Sequence, residues 1–178
     1  LASVYGSAHA DNLGATAGAI SQDINLGTPG TPLVLTTSNI IDMIVEAGQV
    51  LDEQNVPEEG RKMTLPYWAI SLLKRSDIKD ASLTGDGMKS SLRTGRVGVV
   101  DRFEIFGSNL LNRVTDGAST VTNALFNHPV GISFATQLII SESLKNPTGF
   151  GELFRGLQVF GWKVTKPEAV GRAYIVKG

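Results

Sequence analysis

SNIIDMIVEAGQVLDEQNVPEEGRKMTLPYWAISLL, residues 38–73, carries a helix, its stop, a turn, a strand and the start of a second helix. Ile40, Ile44, Ala47 and Leu51 recur at spacings of three and four, with Ile41, Val45 and Gly48 beside them, and so line one face of a helix over 38–54. Ser38 is placed as the N-cap. Asp42 lies in the first turns, where the partial positive charge of a helix start favours a carboxylate. Glu46, Gln49 and Glu53 fall off the apolar stripe. Asn55 and Pro57 end the helix, because proline has no N–H to donate and its ring collides with the preceding turn. Pro57-Glu58-Glu59-Gly60 then reads as a turn, with Gly60 in a backbone conformation costly for residues with a Cβ. Lys62–Leu65 is a strand, and Pro66 opens a second helix to about Arg75 that carries Trp68, Ile70, Leu72 and Leu73.

Upstream, residues 1–32 are rich in Gly, Ala, Ser and Thr, with a strong turn at Gly27-Thr28-Pro29-Gly30. A linker and an ordered strap both fit this segment. Downstream, residues 76–95 are polar and punctuated by glycine, as a surface excursion would be. Val97–Val100 and Phe103–Phe106 flank Asp101-Arg102 as a hairpin, although that turn lacks the usual glycine, and Gly107-Ser108-Asn109 closes it. Residues 110–120 read as a loop and Val121–Phe126 as a strand. Over 130–145, Ile132, Phe134, Leu138 and Ile140 alternate; helical spacing also fits, and a long strand is the reading taken. Residues 152–165 are apolar at odd and even positions alike, which suits a strand covered on both faces. Pro167 stops it, and Arg172–Val176 forms a last short strand. The class is α+β, with no internal repeat.

A chain of 178 residues can bury a core without staples, and 42% hydrophobic against 19% charged residues is a globular balance. Lys plus Arg number 16 and Asp plus Glu 17, so the charge of −1 does not announce a nucleic-acid binder. The absence of cysteine removes disulfides, thiolate metal sites and cysteine nucleophiles, and suits a reducing cytoplasm. No stretch approaches the ~20 apolar residues of a membrane helix, and the first residues are not a signal peptide. The start at Leu1-Ala2-Ser3, without Met, is read as processing or truncation.

Motifs for chemistry are missing. No Gly-Lys pair occurs, so there is no phosphate-binding loop. Gly85–Gly87 and Gly149–Gly151 lack the third glycine of a dinucleotide fingerprint, since Ser90 and Phe154 stand there. There is no Gly-x-Ser-x-Gly elbow and no His-Glu-x-x-His. His9 with Asp11 offers two metal ligands at most and reads better as a solvated polar pair. His128 precedes Pro129 and reads as an element boundary rather than a catalytic base. Asp52-Glu53 and Glu58-Glu59 are sequence neighbours that point apart, and so read as solvated charges. Lys74-Arg75, Arg93, Arg96, Lys163 and Lys166 are scattered, while Trp68 and Trp162 sit in apolar patterns and read as core. No catalytic, cofactor-binding or metal-binding residue is assigned, and no cofactor is expected.

Three blocks carry a family resemblance: LDEQNVPEEGR (Leu51–Arg61) running into TLPYWAISLL (Thr64–Leu73), GRVGVVDRFEIFGSNLL (Gly95–Leu111) and RGLQVFGWKVTKPEA (Arg155–Ala169). In order and spacing they resemble major capsid proteins of tailed bacteriophages. There a long helix ends in Leu-Asp-Glu-x-Asn-Val-Pro-x-x-Gly-Arg, a Gly-x-Val-Gly … Phe-x-Val-x-x-Ser-Asn hairpin follows, and Tyr-Gly-x-x-Val-x-x-Pro-Glu-Ala closes the pattern. Asp101-Arg102 replaces a more usual Gly, and Phe160 stands where Tyr is frequent.

The resemblance implies the Hong Kong 97-like capsid fold: a long spine helix, a peripheral-domain sheet and an inserted axial domain. It implies an N-terminal segment over 1–37, a peripheral domain over 38–62 and 121–178, and an axial domain over 63–120. The chain should leave the spine-helix domain near Arg61 and return near residue 121, with Ser38–Gln54 beside 132–144 and 152–165. The resemblance further implies a non-enzymatic subunit of an icosahedral head enclosing double-stranded DNA, assembled in the host cytoplasm. Its partners would be many copies of itself in hexamers and pentamers, scaffolding and portal proteins, and DNA through non-specific proximity, with no membrane. A nanocompartment shell of the same fold and a small α+β enzyme with an unrecognised site are the alternatives.

Overall fold

The computed structural model describes residues 4–76 and 98–178. Its centre is a mixed sheet of seven strands. They are β1 (Leu33–Leu35), β2 (Arg61–Leu65), β3 (Val99–Val100), β4 (Phe103–Gly107), β5 (Arg113–Asp116), β6 (Ser119–Asn127) and β9 (Val170–Lys177). The strand order is β1-β9-β6-β2-β4-β3, with β5 also paired to β6. β1 runs parallel to β9 and β2 parallel to β4, and the other pairs are antiparallel. Among the described residues the strands β7 (Ile132–Lys145) and β8 (Glu152–Val164) pair only with each other, as a separate two-stranded ribbon.

α1 (Ile40–Glu53) and α2 (Tyr67–Leu73) cover one face of the sheet. The stripe of Ile40, Ile44, Ala47 and Leu51 is fully buried, joined by Met43 and Val50, in one cluster with Leu65, Leu73, Phe103, Phe126 and Ile175. Val45, expected beside the stripe, is exposed. The N-cap is Asn39 rather than Ser38. The Asn39 amide oxygen accepts from the Thr36 N–H at 2.8 Å, which fixes the chain entering the helix, and Ser38 contacts the Thr36 hydroxyl instead. At the other end the Asn55 N–H bonds to Asp52 O and the Val56 N–H to Leu51 O, with Asn55 at φ 55°. This is a Schellman stop, closed by contact of Val56 with the core. Pro66 caps α2 from outside its first turn.

The opposite face of the sheet is covered more thinly, by Val4, Tyr5, Leu111, Leu125 and Val170, with Ile132 and Val164 against them. Residues 4–32 are therefore an ordered strap, not a linker. The Asn12 amide donates to Glu168 O and Val170 O, and Leu26 O accepts from the Tyr174 N–H at 2.7 Å. Gly27, at φ 81°, lies so close to the β9 backbone that a Cβ would strike the Tyr174 carbonyl oxygen.

Several expectations need correction. Residues 110–120 are not a loop: β5 pairs with the start of β6 from Arg113↔Thr122 to Asp116↔Ser119, turning at Gly117 and Ala118. The hairpin at Asp101-Arg102 forms without glycine because Asp101 itself takes φ 52°, a conformation aspartate tolerates; the Val97 end of its first strand and the 77–95 excursion lie outside the described residues. α1 does not lie along 132–144 and 152–165: its buried cluster draws on α2, β2, β4, β6 and β9 and contains no residue of β7 or β8. β2 and β6 each straddle a boundary drawn at 62/63 or 120/121, and they pair with each other, so those cuts pass through one sheet.

Candidate functional site: an uncovered apolar hairpin

The pattern of β8 predicts cover on both faces, but the strand is exposed along its length up to Val164. Along the β7–β8 ribbon Phe134, Leu138 and Phe160 are 64–66% exposed, and Ile140, Leu144, Leu153, Phe154, Leu157 and Val159 are also open. Trp162, read from its pattern as core, is 42% exposed, whereas Trp68 does pack against the main cluster. The physical reason is simple. A strand with apolar side chains on both faces needs a layer on each side, and the described part of the chain supplies one only at the ribbon's base, through Ile132 and Val164. Large contiguous apolar surface rimmed by polar groups marks an interaction site. The ribbon's polar groups look after themselves: Arg155 pairs with Glu142, Ser143 donates to Glu152, and Gln158 donates to Thr136.

The ribbon is anchored by a turn of Pro129–Gly131. His128 fulfils its expected boundary role there, its Nδ1 accepting from the Val130 N–H while Nε2 sits 3.0 Å from Glu59 O. These bonds join the root of the hairpin to the turn after α1. Gly131 lies so close to Ala169 and Val170 that a Cβ would meet Val170 Cγ2 at 2.9 Å.

The residues considered for chemistry are placed elsewhere and do structural work. Asp52, read as solvated, bridges Arg61 at 2.8 Å and Arg102 at 2.8 Å. Arg61 is wholly buried and also donates to Pro57 O, Gly48 O and Val56 O. It ties the C-terminal half of α1 to the following turn, and Asp52 extends the tie through Arg102 to the β3–β4 turn. The sequence marks Arg61 as the last residue of the LDEQNVPEEGR motif but gives no sign of its burial or of its partners. Glu53, also read as solvated, accepts from the Ile20 and Ser21 N–H groups at 2.7 and 3.0 Å. Burial pushes its carboxyl up, but these donors and the Gln49 amide outweigh that and hold it at about 2. His9 caps a short turn through Asp11 N and lies 3.4 Å from the Asp11 carboxylate. Among the described residues no group of three or more His, Asp or Glu is spaced to hold a metal ion, and no helix is long and apolar enough to cross a membrane.

An open groove of about 410 Å³ is lined by Glu58, Glu59, Gly60, Arg61, Val99, Arg102 and Glu104. Its two arginines are engaged by Asp52 and by backbone carbonyls, so the groove offers no free cation to a reacting group.

The sequence matches no protein family and no curated protein. Solved structures do match. A chain of Mycobacterium phage Che8 superposes with a TM-score of 0.63 at 26% identity, over 85% of this chain and 53% of that one. A chain in the capsid of the cyanophage P-SCSP1u gives 0.56 at 15% identity, over 85% of this chain and 55% of its own length. A chain in the capsid of Ralstonia phage GP4 gives 0.55 at 15% identity, over 95% and 53%. The chain spans about half the length of the phage chains it matches, and over that half it has the fold of a phage capsid chain.

Proposed function

We propose that this chain is part of a structural, non-enzymatic subunit of an icosahedral bacteriophage head, whose shell of many copies encloses double-stranded DNA. The single observation that carries the reading is the likeness of the fold to chains of phage capsids. The uncovered β7–β8 ribbon agrees with it, because apolar surface of that extent suits a protein that works among neighbours. So does the near-neutral charge: DNA packed in a head must be released, and a wall of net charge −1 would not hold it strongly.

The division into domains belongs to the same proposal, with the boundaries redrawn. The seven-stranded sheet, α1, α2 and the strap form one unit, and the β7–β8 ribbon is the second, projecting element. Head location, hexamers and pentamers, and scaffolding and portal partners follow from this reading. Electron microscopy of particles formed by the protein expressed from its whole gene tests it. Closed shells that accept DNA are the expected result, whereas sealed DNA-free shells around protein cargo would indicate a nanocompartment and soluble subunits that never assemble would refute the reading.

A further inference from the structure

On the thinly covered face of the sheet, three buried polar atoms have no hydrogen-bond partner among the described residues: the Tyr5 hydroxyl oxygen, Asn123 Oδ1 and Arg172 Nε. The strand register gathers them around Leu125. Asn123 lies opposite Tyr174, and Leu125 opposite Arg172. Paired residues and residues two apart share a face, so Asn123 and Arg172 lie on the face of Leu125, which is clustered with Val4, Tyr5 and Val170. They are diagonal neighbours, about 7–8 Å apart between backbones, within reach of a side chain as long as arginine. Tyr5 covers this face from the first turn of the strap, Tyr5–Ser7. Its hydroxyl faces the backbone of Asn112, whose carbonyl accepts from the Asn123 N–H at 2.9 Å.

Bulk solvent does not serve these atoms, since Tyr5 and Asn123 are only 3% and 2% exposed. Burial pushes the pKa of the Tyr5 hydroxyl up, so it keeps its hydrogen at neutral pH. The Asn123 amide is oriented by its Nδ2, which points to Asn112 O at 3.4 Å; turning the amide over would set two oxygens against each other. Oδ1 therefore needs a donated hydrogen. Arg172 Nε needs the reverse, because its N–H can only donate. An anion would accept from Arg172 and Tyr5 but repel Oδ1, and a cation would repel Arg172. Water accepts the Arg172 hydrogen, donates one to Asn123 and makes its third bond with the Tyr5 hydroxyl. About three bonds are what a buried water makes.

We infer that one ordered water is a fixed ligand of this chain, bound by Tyr5, Asn123 and Arg172, and that it seats the first turn of the strap on β6 and β9. The inference stands apart from the shell reading. Crystals of the protein grown with bromide in place of chloride test it, through a map that resolves ordered water and through the anomalous scattering of bromide. The expected result is a water within about 3.2 Å of all three atoms, with no bromide signal there. A bromide peak would overturn the inference by making the site an anion site. A direct Tyr5–Asn123 hydrogen bond, or a map with no water at the three atoms, would also overturn it. Asn123→Leu removes the acceptor and should expel the water. Tyr5→Phe removes one hydroxyl and should leave the water on Asn123 and Arg172 with a larger displacement; it decides the matter alone if Asn123→Leu does not fold. A water as well ordered in Tyr5→Phe as in the parent would overturn the three-way site.

Discussion

Arg61 shows how much one buried side chain can organise. Its guanidinium donates to three backbone carbonyls and pairs with Asp52, so no donor set of smaller reach can replace it. Arg61→Lys keeps the charge but loses the fork, and should destabilise the fold by about 2–4 kcal/mol in chemical denaturation. Gly60 lies at φ 79°, and a Cβ there would meet His128 Nε2 at an ordinary 3.8 Å, so the cost of a substitution is conformational rather than steric. Gly60→Val should lower stability by on the order of 1–3 kcal/mol, visible as a reduced Tm. Glu53 makes the strap's attachment depend on pH. Its folded value of about 2 lies below its ordinary 4.5, so the bonds to Ile20 and Ser21 stabilise fully above the ordinary value and fail as pH falls through about 2. The fall in Tm between about pH 5 and pH 2 should be smaller in Glu53→Gln than in the parent. Equal falls would mean that other carboxylates carry the acid response.

Among the elements, α1 and the β7–β8 ribbon are opposites. α1 buries its stripe within the chain and is stopped by its own backbone bonds, so its stability is internal. The ribbon has strands of 14 and 13 residues, yet a lone two-stranded ribbon is marginal in water. Most of its large side chains remain open, so removing them from the protein costs the body little. Replacing residues 133–163 with a short Gly-Ser turn should therefore leave the Tm of the remaining fold nearly unchanged. A large loss would show that the ribbon supports the sheet through more than Ile132 and Val164.

For the whole molecule, the same imbalance sets its behaviour in solution. The main core needs no neighbour, because the two helices and the strap close over the sheet. Among the described residues the open apolar surface lies chiefly on the ribbon, which the body covers only at Ile132 and Val164. The 178-residue chain should be folded and mainly monomeric in dilute solution, without closed particles. Sedimentation velocity decides this, and spontaneous shells from these residues would show that the ribbon and the sheet edges suffice for assembly.

By itself the sequence determined the elements whose signals are local. The period of Ile40, Ile44, Ala47 and Leu51 specified α1, Asn55 and Gly60 its stop and turn, and the alternation from Ile132 the long strand. The capsid likeness too was legible, because turn and stop residues at fixed spacing leave a pattern in the letters. Tertiary structure decided what lies far apart in the chain. It buried Arg61, turned Asp52 and Glu53 from solvated charges into ties, and bound the strap to β9. It also reversed the reading of the ribbon. An apolar run states that its side chains are to be removed from water, but not whether the same chain or another does so. The alternation of Phe134, Leu138 and Ile140 likewise cannot disclose a bulge, because face is set by pairing across the hairpin and not by position along one strand.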